Sequence, residues 1–244
     1  MCLVLLALDA HPDYPLIVAA NRDERHGRPA QALHWWSEQP GIAGGRDLEA
    51  GGTWMAVRSD ARFAALLNDP RFDAPPDAPS RGELVPAFLA AEDAAGTVAR
   101  VHAHVGDYAG FHFLGGGPSE VWVAGRSADE PTALSAGVHG LDNHGLDSGG
   151  ARLERALAGF RGSLERRVGV AALFRMLGDD EQPGPGPGDA RPVFITGETY
   201  GTRGSTVLLV DSDGVVQLTE RRFDASGACQ EERRLEWASA LATG

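Results

Sequence analysis

Pairs of short apolar segments joined by polar turns are the sequence feature that most restricts how this chain can fold. Cys2 to Leu8 and Tyr14 to Ala20 are rich in Leu, Val and Ile, and residues 9–13 between them contain Asp and Pro, which favour turns. Thr53 to Val57 and Arg62 to Leu67 form a second pair of this kind. Because no helix separates the two segments of a pair, each pair predicts an antiparallel hairpin.

Further segments predict helices in the middle of the chain and more strands near its end. Apolar residues at helical spacing predict helices over Ala151 to Phe160 and Leu164 to Leu177, and Ser80 with Glu83 has the spacing of a helix-capping box. The other predicted elements are a helix over Ala91 to His104, strands over Gly110 to Leu114, Val121 to Ala124, Val193 to Thr196, Ser205 to Asp211 and Val215 to Arg221, a mobile Pro-Gly-rich loop over Asp179 to Asp189, and a charged final helix over Cys229 to Leu241. This order predicts an α+β fold in which helices cover antiparallel sheets, within a single domain over residues 1–244.

Composition excludes several classes of function. The net charge of −12 argues against nucleic acid as a partner, since phosphate binding needs a concentrated positive surface. All 22 basic residues are arginine, so lysine-dependent chemistry such as Schiff-base formation is excluded. With only two cysteines, Cys2 and Cys229, we expect a reduced cytoplasmic protein. The apolar run at residues 2–8 is too short to cross a membrane, and no basic residue precedes it, so neither a membrane span nor a signal peptide is expected.

Cys2 stands where removal of the initiator Met would leave a thiol and a free α-amine on the same residue. An N-terminal nucleophile needs this arrangement, because an α-amine with a pKa of about 8 can itself act as the general base for the thiol. The alternative is that Cys2 is simply a small apolar residue that opens a buried strand.

Polar residues follow the second apolar segment directly, in the run Asn21-Arg22-Asp23-Glu24-Arg25. If the first two segments form a hairpin, this run lies beside the start of the first strand and therefore beside Cys2. Arg22 would then favour the thiolate or hold a substrate carboxylate, and an acidic side chain would fix the α-amine by a hydrogen bond. The alternative is a solvated charged loop.

Several blocks occur in an order that is specific to one known family. They are Cys2, Tyr14-Pro15-Leu16-Ile17-Val18-Ala19-Ala20-Asn21-Arg22-Asp23-Glu24, Arg28-Pro29, Gly44-Gly45-Arg46-Asp47, Gly51-Gly52-Thr53-Trp54, Ser80-Arg81-Gly82-Glu83-Leu84 and Tyr200-Gly201-Thr202-Arg203. From residue 2 to about residue 223 the chain resembles the NRDE family, also called the transport and Golgi organisation family. The resemblance implies an N-terminal nucleophile (Ntn) hydrolase-like αββα fold, distantly similar to conjugated bile acid hydrolases and penicillin V acylases. Eukaryotic members are associated with secretory-pathway organisation, lipid homeostasis and haem trafficking, and no settled substrate comes with the family.

The resemblance to cysteine Ntn enzymes implies six catalytic positions: Cys2, Arg22, Asp23, Asn68, Asn143 and Arg203. Asn68 and Asn143 resemble the asparagines that bind the oxyanion and position the substrate, and Arg203 resembles a late arginine of those enzymes. Loop capping is the alternative for both asparagines. Asp142 and His144 depart from the usual residues of relatives, so the acceptor side of the site is expected to differ.

Ligand-binding positions are predicted from polar residues near glycines and from tryptophans. The candidates are Asn21, Glu24, Arg46 and Trp54. The glycines at 44–45 and 51–52 would allow a pocket wall close to a ligand, or would simply form tight turns. Four tryptophans are candidates for lining an apolar acyl or porphyrin pocket, although for any one of them a position in the core is the favoured interpretation: Trp35, Trp36, Trp54 and Trp122.

The favoured prediction is hydrolysis or acyl transfer at Cys2 on a small acyl amide or related acyl compound, with no required cofactor and no metal. The first alternative is a non-catalytic carrier of haem or another hydrophobic ligand. Its candidate axial ligands are Cys2, His26, His34 and Met55. A protein-interaction module on an enzyme scaffold is the second alternative. The histidines at 102, 104 and 112 lack a second dense group of ligands, so we interpret them as solvated or core-edge residues.

Overall fold

Two antiparallel sheets form the framework of the protein, as seen in a computed structural model that describes residues 2–166, 168–182 and 191–239. The strands are β1 (Leu3–Leu8), β2 (Leu16–Arg25), β3 (Ala30–Trp35), β4 (Ile42–Asp47), β5 (Met55–Arg58), β6 (Phe63–Asn68), β7 (Phe111–Gly117), β8 (Glu120–Gly125), β9 (Thr132–Ala133), β10 (Gly137–Asp142), β11 (Gly145–Leu146), β12 (Tyr200–Val210), β13 (Val215–Phe223) and β14 (Cys229–Ala238). The helices are α1 (Leu84–Ala90), α2 (Ala94–Ala103), α3 (Ala151–Glu165) and α4 (Val170–Leu177).

The strands are divided between the sheets in an order that places β1 in the interior of one sheet. Within the described residues the first sheet has the order β11-β10-β1-β2-β12-β13-β14, and the second has the order β3-β4-β5-β6-β7-β8-β9. β1 therefore pairs with β10 on one side and β2 on the other, with Leu3 opposite both Asp142 and Asn21. This pairing confirms the first predicted hairpin, and β5 with β6 confirms the second.

Four layers result from the way the apolar faces are covered. Alternate residues of β1 point to opposite faces of the sheet. Val4 and Leu6 belong to the core between the two sheets, whereas Leu3 and Leu5 belong to a second core formed with α3 and α4. On the far side, α1 and α2 cover the second sheet around Phe88. The layer order is helix, sheet, sheet, helix, which confirms the predicted αββα sandwich.

Glycine in β10 allows the helical layer to approach this sheet closely. A Cβ atom on Gly140 would lie 2.6 Å from the Leu153 side chain of α3. Real Cβ atoms do not come this close to another atom, so a larger residue at this position would push α3 away from the strands that surround Cys2.

Several predicted boundaries differ from the structure. The strand predicted over Tyr14 to Ala20 continues to Arg25, so the run from residue 21 to 25 is part of β2 and not a loop. Leu164 to Leu177 is not one helix, because α3 extends to Glu165 and α4 begins only at Val170. The capping-box prediction gives a short 3-10 turn over residues 81–83, in which the Ser80 side chain accepts from the Gly82 N–H, before α1 begins. The predicted loop over 179–189 lies outside the described residues from residue 183 onward.

Two predicted elements near the end of the chain are wrong. The segment predicted as a strand over Val193 to Thr196 is irregular, because side chains bind its backbone: Asn21 donates to the Val193 carbonyl and Thr202 accepts from the Ile195 N–H. The predicted helix over Cys229 to Leu241 is β14 as far as Ala238.

The strand β14 follows a two-residue period that its many charges conceal. Leu235 and Trp237 both pack against the core between the sheets, and the residues between and beside them face solvent. Alternation of this kind is typical of an edge strand with one buried face. The Trp237 ring also contacts the Trp35 ring at a centroid distance of 4.8 Å, which joins the edges of the two sheets.

Among the described helices none is long and apolar enough to cross a membrane.

Candidate functional site

The side chains around Cys2 divide between the two faces of β2. Cys2 packs against the core between the sheets and lies across from the end of β2. Strand alternation places Arg22 and Glu24 on the same face as Cys2, and it places Asn21 and Asp23 on the opposite face, toward α3 and α4. The polar side chains of residues 21–24 therefore point into two different environments, one between the sheets and one in the helical layer.

Between the sheets, Cys2 opens on a cavity of about 130 Å³. Its walls are formed by Cys2, Arg22, Asp23, Glu24, Arg28, Asp47, Ala50, Gly52, Thr53, Trp54, Leu66, Asn68, Ser80, Arg81 and Gly82. The cavity thus brings together six of the predicted catalytic or binding residues: Cys2, Arg22, Asp23, Glu24, Trp54 and Asn68. Asn21, Arg46, Asn143 and Arg203 are not among its lining residues.

The thiol of Cys2 is shielded and not activated in the resting structure. Burial raises the pKa of Cys2, and the Asp23 carboxylate raises it further, while a hydrogen bond to the Asp23 carbonyl and the charge of Arg22 act in the opposite direction with smaller effect. Cys2 Sγ lies 3.7 Å from that carbonyl oxygen, to which the thiol donates. The expectation that Arg22 makes Cys2 a thiol of low pKa is therefore wrong, because burial outweighs the arginine.

Alkylation of Cys2 should accordingly be slow at neutral pH. We expect its rate to reach half-maximum at a higher pH than that of free cysteine, whose pKa is about 8.5, because the thiolate is the reactive form. Peptide-resolved mass spectrometry after pulses of iodoacetamide at different pH values measures this, with the exposed Cys229 as an internal reference. A midpoint below that of free cysteine would contradict the assigned environment.

Asp23 links the cavity to the helical layer. Its carboxylate is buried, 2.7 Å from the Arg152 guanidinium of α3 and 2.7 Å from the Thr202 hydroxyl, which donates to it. Its backbone carbonyl faces the other way and accepts from both the Cys2 thiol and the Tyr200 hydroxyl, the latter at 3.1 Å. Burial, followed by the charges of Cys2 and Asp23, raises the pKa of Tyr200, so this hydroxyl stays protonated beside the thiol.

The Asn21 side chain has a structural role and does not reach the cavity. It is fully buried, and its amide group donates to the carbonyls of Leu177 and Val193 at 2.9 and 3.0 Å. Its oxygen accepts from the Ser205 hydroxyl at 2.6 Å. Asn21 therefore ties β2 to β12 and to the end of α4, and the prediction that it binds ligand is not supported by its position.

Arg22 shares its carboxylate partners with Arg28, which was not among the predicted site residues. Arg22 lies 3.5 Å from Asp47 and 3.9 Å from Glu24. Arg28 lies closer to the same two groups, at 2.7 Å from Asp47 and 3.8 Å from Glu24. Both guanidinium groups are largely buried, and the Arg28 hydrogen bond helps to lower the pKa of Asp47 against the effect of burial. The four side chains form one compact charged wall of the cavity.

Asn68 and Asn143 occupy different positions. Asn68 ends β6 on the cavity wall, and its carboxamide has no hydrogen bond to the described residues. Asn143 is buried behind it and donates from Nδ2 to the Asn68 carbonyl at 2.6 Å. Asn68 is therefore available to a ligand, as an oxyanion donor must be, whereas Asn143 holds the Asn68 backbone in place.

Arg203 and Arg46 belong to a neighbouring and smaller cavity of about 40 Å³, on the other side of Trp54. Arg203 donates to the carbonyl oxygens of Arg25, His26 and Arg28 at 3.0, 2.5 and 3.3 Å, so it secures the turn that follows β2. Arg46 pairs with Glu38 and lies over the Trp36 ring at 4.1 Å. Neither arginine lines the cavity that contains Cys2.

Among the four tryptophans only Trp54 lines the Cys2 cavity. Trp36 is buried in the core beneath α1, Trp122 packs against that same core, and Trp35 is 40% exposed beside Trp237. Of the candidate haem ligands, Met55 is buried in the core between the sheets. Cys2 lines the cavity, whereas the two histidines lie away from it: His26 binds the Gly197 carbonyl and His34 binds the Ala32 carbonyl.

The described residues contain no group of histidines, cysteines and carboxylates arranged to hold a metal ion. His112 is buried and its Nε2 lies 3.5 Å from the Asp69 carboxylate, as a core-edge histidine would. His102 and His104 bind backbone carbonyl groups at the protein surface.

Five residues of the site were not predicted as functional: Arg28, Asp47, Arg81, Arg152 and Thr202. All except Arg152 fall within the sequence blocks that carry the family resemblance, so the blocks were a usable signal. Arg152 is one of three arginines in an amphipathic helix, and nothing in the sequence distinguishes it from the other two; its partner on β2 becomes apparent only when α3 packs on the sheet.

The fold is shared with solved bile acid hydrolases. A structure of the C2A mutant of conjugated bile acid hydrolase from Clostridium perfringens aligns with a TM-score of 0.55, covering 97% of this chain and 92% of that one at 9% identity. An arginine-to-leucine variant of the same hydrolase aligns with a TM-score of 0.56 at 8% identity, over the same shares of the two chains. These likenesses confirm the Ntn-hydrolase fold.

Sequence comparison identifies much closer relatives. The bovine Transport and Golgi organization protein 2 homolog is 33% identical over 257 residues, which cover 91% of this chain and 92% of the relative. The mouse homolog is 31% identical over the same shares. The sequence model described as Transport and Golgi organisation 2 matches residues 1–225. The chain therefore belongs to the Transport and Golgi organisation 2 family.

Proposed function

We propose that this protein is an N-terminal cysteine hydrolase or acyltransferase that acts on a small acyl amide or related acyl compound. The observation that carries the proposal is that the Cys2 thiol and the Asn68 carboxamide line the same cavity between the two sheets. The Asn68 carboxamide makes no hydrogen bond to the described residues. A nucleophile and an oxyanion donor on the same cavity are the two groups that acyl transfer requires.

The reaction would begin with removal of the thiol proton, since the raised pKa of Cys2 keeps the thiol protonated at rest. The α-amine of Cys2, freed by removal of Met1, would take this proton while Sγ forms a bond to the acyl carbon. The C–N bond of the amide then breaks, and the α-ammonium returns its proton to the departing amine. Water, or an acceptor amine, attacks the thioester, so that the C–S bond breaks and the thiol is restored.

Two comparisons support this assignment. The bile acid hydrolase neighbour was studied as a C2A mutant, so in that protein also a cysteine stands at position 2. The second neighbour is an arginine variant of the same hydrolase, and an arginine lies beside Cys2 here. The family description itself names no reaction.

The haem-carrier alternative receives less support from the geometry. Haem is a much larger ligand than a small acyl compound, and the cavity on which Cys2 lies has a volume of only about 130 Å³; Met55 lies in the core. Haem binding, a role in lipid homeostasis and a cytoplasmic location remain predictions of the sequence.

Trapping of the covalent intermediate tests the proposed reaction. Protein with a free Cys2 is incubated with a panel of p-nitrophenyl esters and acyl amides of short acids, quenched in acid and analysed by peptide mass spectrometry. We expect an acyl adduct on the Cys2 peptide and its absence in Cys2→Ala, with Cys229→Ser unchanged. Equal acylation of both cysteines, or turnover that survives Cys2→Ala, would reject the proposal.

A further inference from the structure

Arg81 lies on the wall of the Cys2 cavity that the second sheet and its loops provide. It belongs to the 3-10 turn before α1, and its guanidinium donates to the Gly110 carbonyl at 2.5 Å. Cys2 and Arg22 are on the wall provided by the first sheet. A ligand in the cavity would therefore have the thiol on one side and Arg81 on the other.

The turn that carries Arg81 is held in a fixed position. The Thr53 N–H donates to the Gly82 carbonyl at 3.1 Å. A Cβ atom on Gly52 would lie 2.5 Å from the Gly82 carbonyl carbon, so glycine at position 52 is what lets the two backbone segments touch. Arg81 is thus placed by backbone contacts and not by an acidic partner.

Three arginines line the cavity, and Arg81 is the one that forms no ion pair with a carboxylate of the described residues. Arg22 and Arg28 both lie within ion-pair distance of Asp47 and Glu24. The Asp23 carboxylate faces the helical layer and binds Arg152 and Thr202. No carboxylate of the described residues lies within ion-pair distance of Arg81, although the protein as a whole carries a charge of −12.

A half-buried guanidinium that binds only a carbonyl is costly to keep charged. Burial lowers the pKa of Arg81, and repulsion by Arg28 lowers it further. An anion in the cavity would offset both effects by its charge, and a planar carboxylate matches the hydrogen-bonding edge of a guanidinium.

We propose that Arg81 binds a carboxylate of the substrate, so that the compounds processed at Cys2 are anionic acyl compounds such as N-acyl amino acids. This inference rests on the proposed function for the identity of the acyl group, but the anion site itself does not require catalysis. Arg22 is unsuited to the same task because its charge is already balanced within the wall formed with Asp47 and Glu24.

Binding to an inactive protein tests the anion site separately from catalysis. Cys2→Ala protein is titrated with N-butanoylglycine and with N-butanoylglycinamide, which differ in the carboxylate, and dissociation constants are measured by calorimetry. We expect the acid to bind roughly 10- to 100-fold more tightly, the range of a charge-assisted hydrogen bond, and Arg81→Gln in the same background to abolish this preference.

Arg62→Gln is the matched control. Arg62 is also a half-buried arginine that binds backbone carbonyls, those of Ala91 and Glu92, but it does not line the cavity. Equal affinity for the acid and the amide, failure of both to bind, or the same preference in Arg81→Gln would overturn the anion site. Preference for the acid without acylation of Cys2 in the native protein would instead reject the proposed reaction and leave the anion site standing.

Discussion

Arg152→Met should lower the free energy of unfolding by about 3–5 kcal/mol, the range for breaking a buried ion pair by removing one partner. Arg152 is 6% exposed and lies 2.7 Å from the fully buried Asp23 carboxylate. It also donates to the carbonyls of Pro192 and Val193, which places the irregular segment beside β2. Methionine fills a similar volume, but the substitution leaves the buried Asp23 carboxylate without the guanidinium that balances its charge.

Arg155→Met provides the control for this prediction on the same helix. Arg155 pairs with Asp179 and Glu181, both at 2.7 Å, but these groups lie near the surface. Its loss should cost less than about 1 kcal/mol, because exposed ion pairs contribute little. Urea unfolding followed by far-ultraviolet circular dichroism measures both variants. Similar small losses for the two would show that the Asp23–Arg152 pair does not hold the sheet against α3.

The hairpins were predictable because their information is local. An apolar run, a turn and a second apolar run already determine that β1 and β2 are neighbours, and from that pairing Cys2 and Arg22 meet. The alternation of side chains along a strand also predicts how the polar residues 21–25 divide between the two faces, since residues 21 and 23 must face away from residues 22 and 24. Asn21, predicted as a ligand-binding residue, therefore directs its side chain away from the face that carries Cys2 and Arg22.

The remaining parts of the site depend on how separate layers meet. Arg152 reaches Asp23 only because α3 packs on β10 and β1, and Arg81 reaches the cavity only because its turn rests on Gly52. The same limit applies to β14, where six charged or polar residues conceal the apolar pattern locally, yet Leu235 and Trp237 pack against the core between the assembled sheets. Local patterns do not contain such contacts between distant segments.

Burial also limits the effect of the nearby Arg22 on the pKa of Cys2. The hairpin predicted from the sequence puts Arg22 beside Cys2, and in water a neighbouring arginine favours the thiolate. In the structure Arg22 is largely neutralised by Asp47 and Glu24, and the thiol is shielded, so the pKa of Cys2 rises. A nucleophile in this state needs a base that acts during the reaction, and for an N-terminal cysteine that base is its own α-amine.

Protein that retains Met1 should therefore lose acyl transfer by about 10²–10⁴-fold relative to protein that begins at Cys2, the usual contribution of a general base. The two forms are separated by intact mass, and their rates are compared on the same acyl compound across pH. The rate of the Cys2-first form should rise as its α-amine loses its proton at a pH of about 8, and the Met1 form should lack this rise.

A retained methionine could also obstruct the cavity, and two measurements separate obstruction from loss of the base. Alkylation at high pH, where the thiol needs no base, should proceed in both forms if the thiol is still accessible. Acetylation of the α-amine of the Cys2-first form removes the base while adding only a small group, so it should reproduce most of the loss. Full activity of the Met1 form, or of the acetylated form, would reject the α-amine as the base and with it the N-terminal nucleophile mechanism.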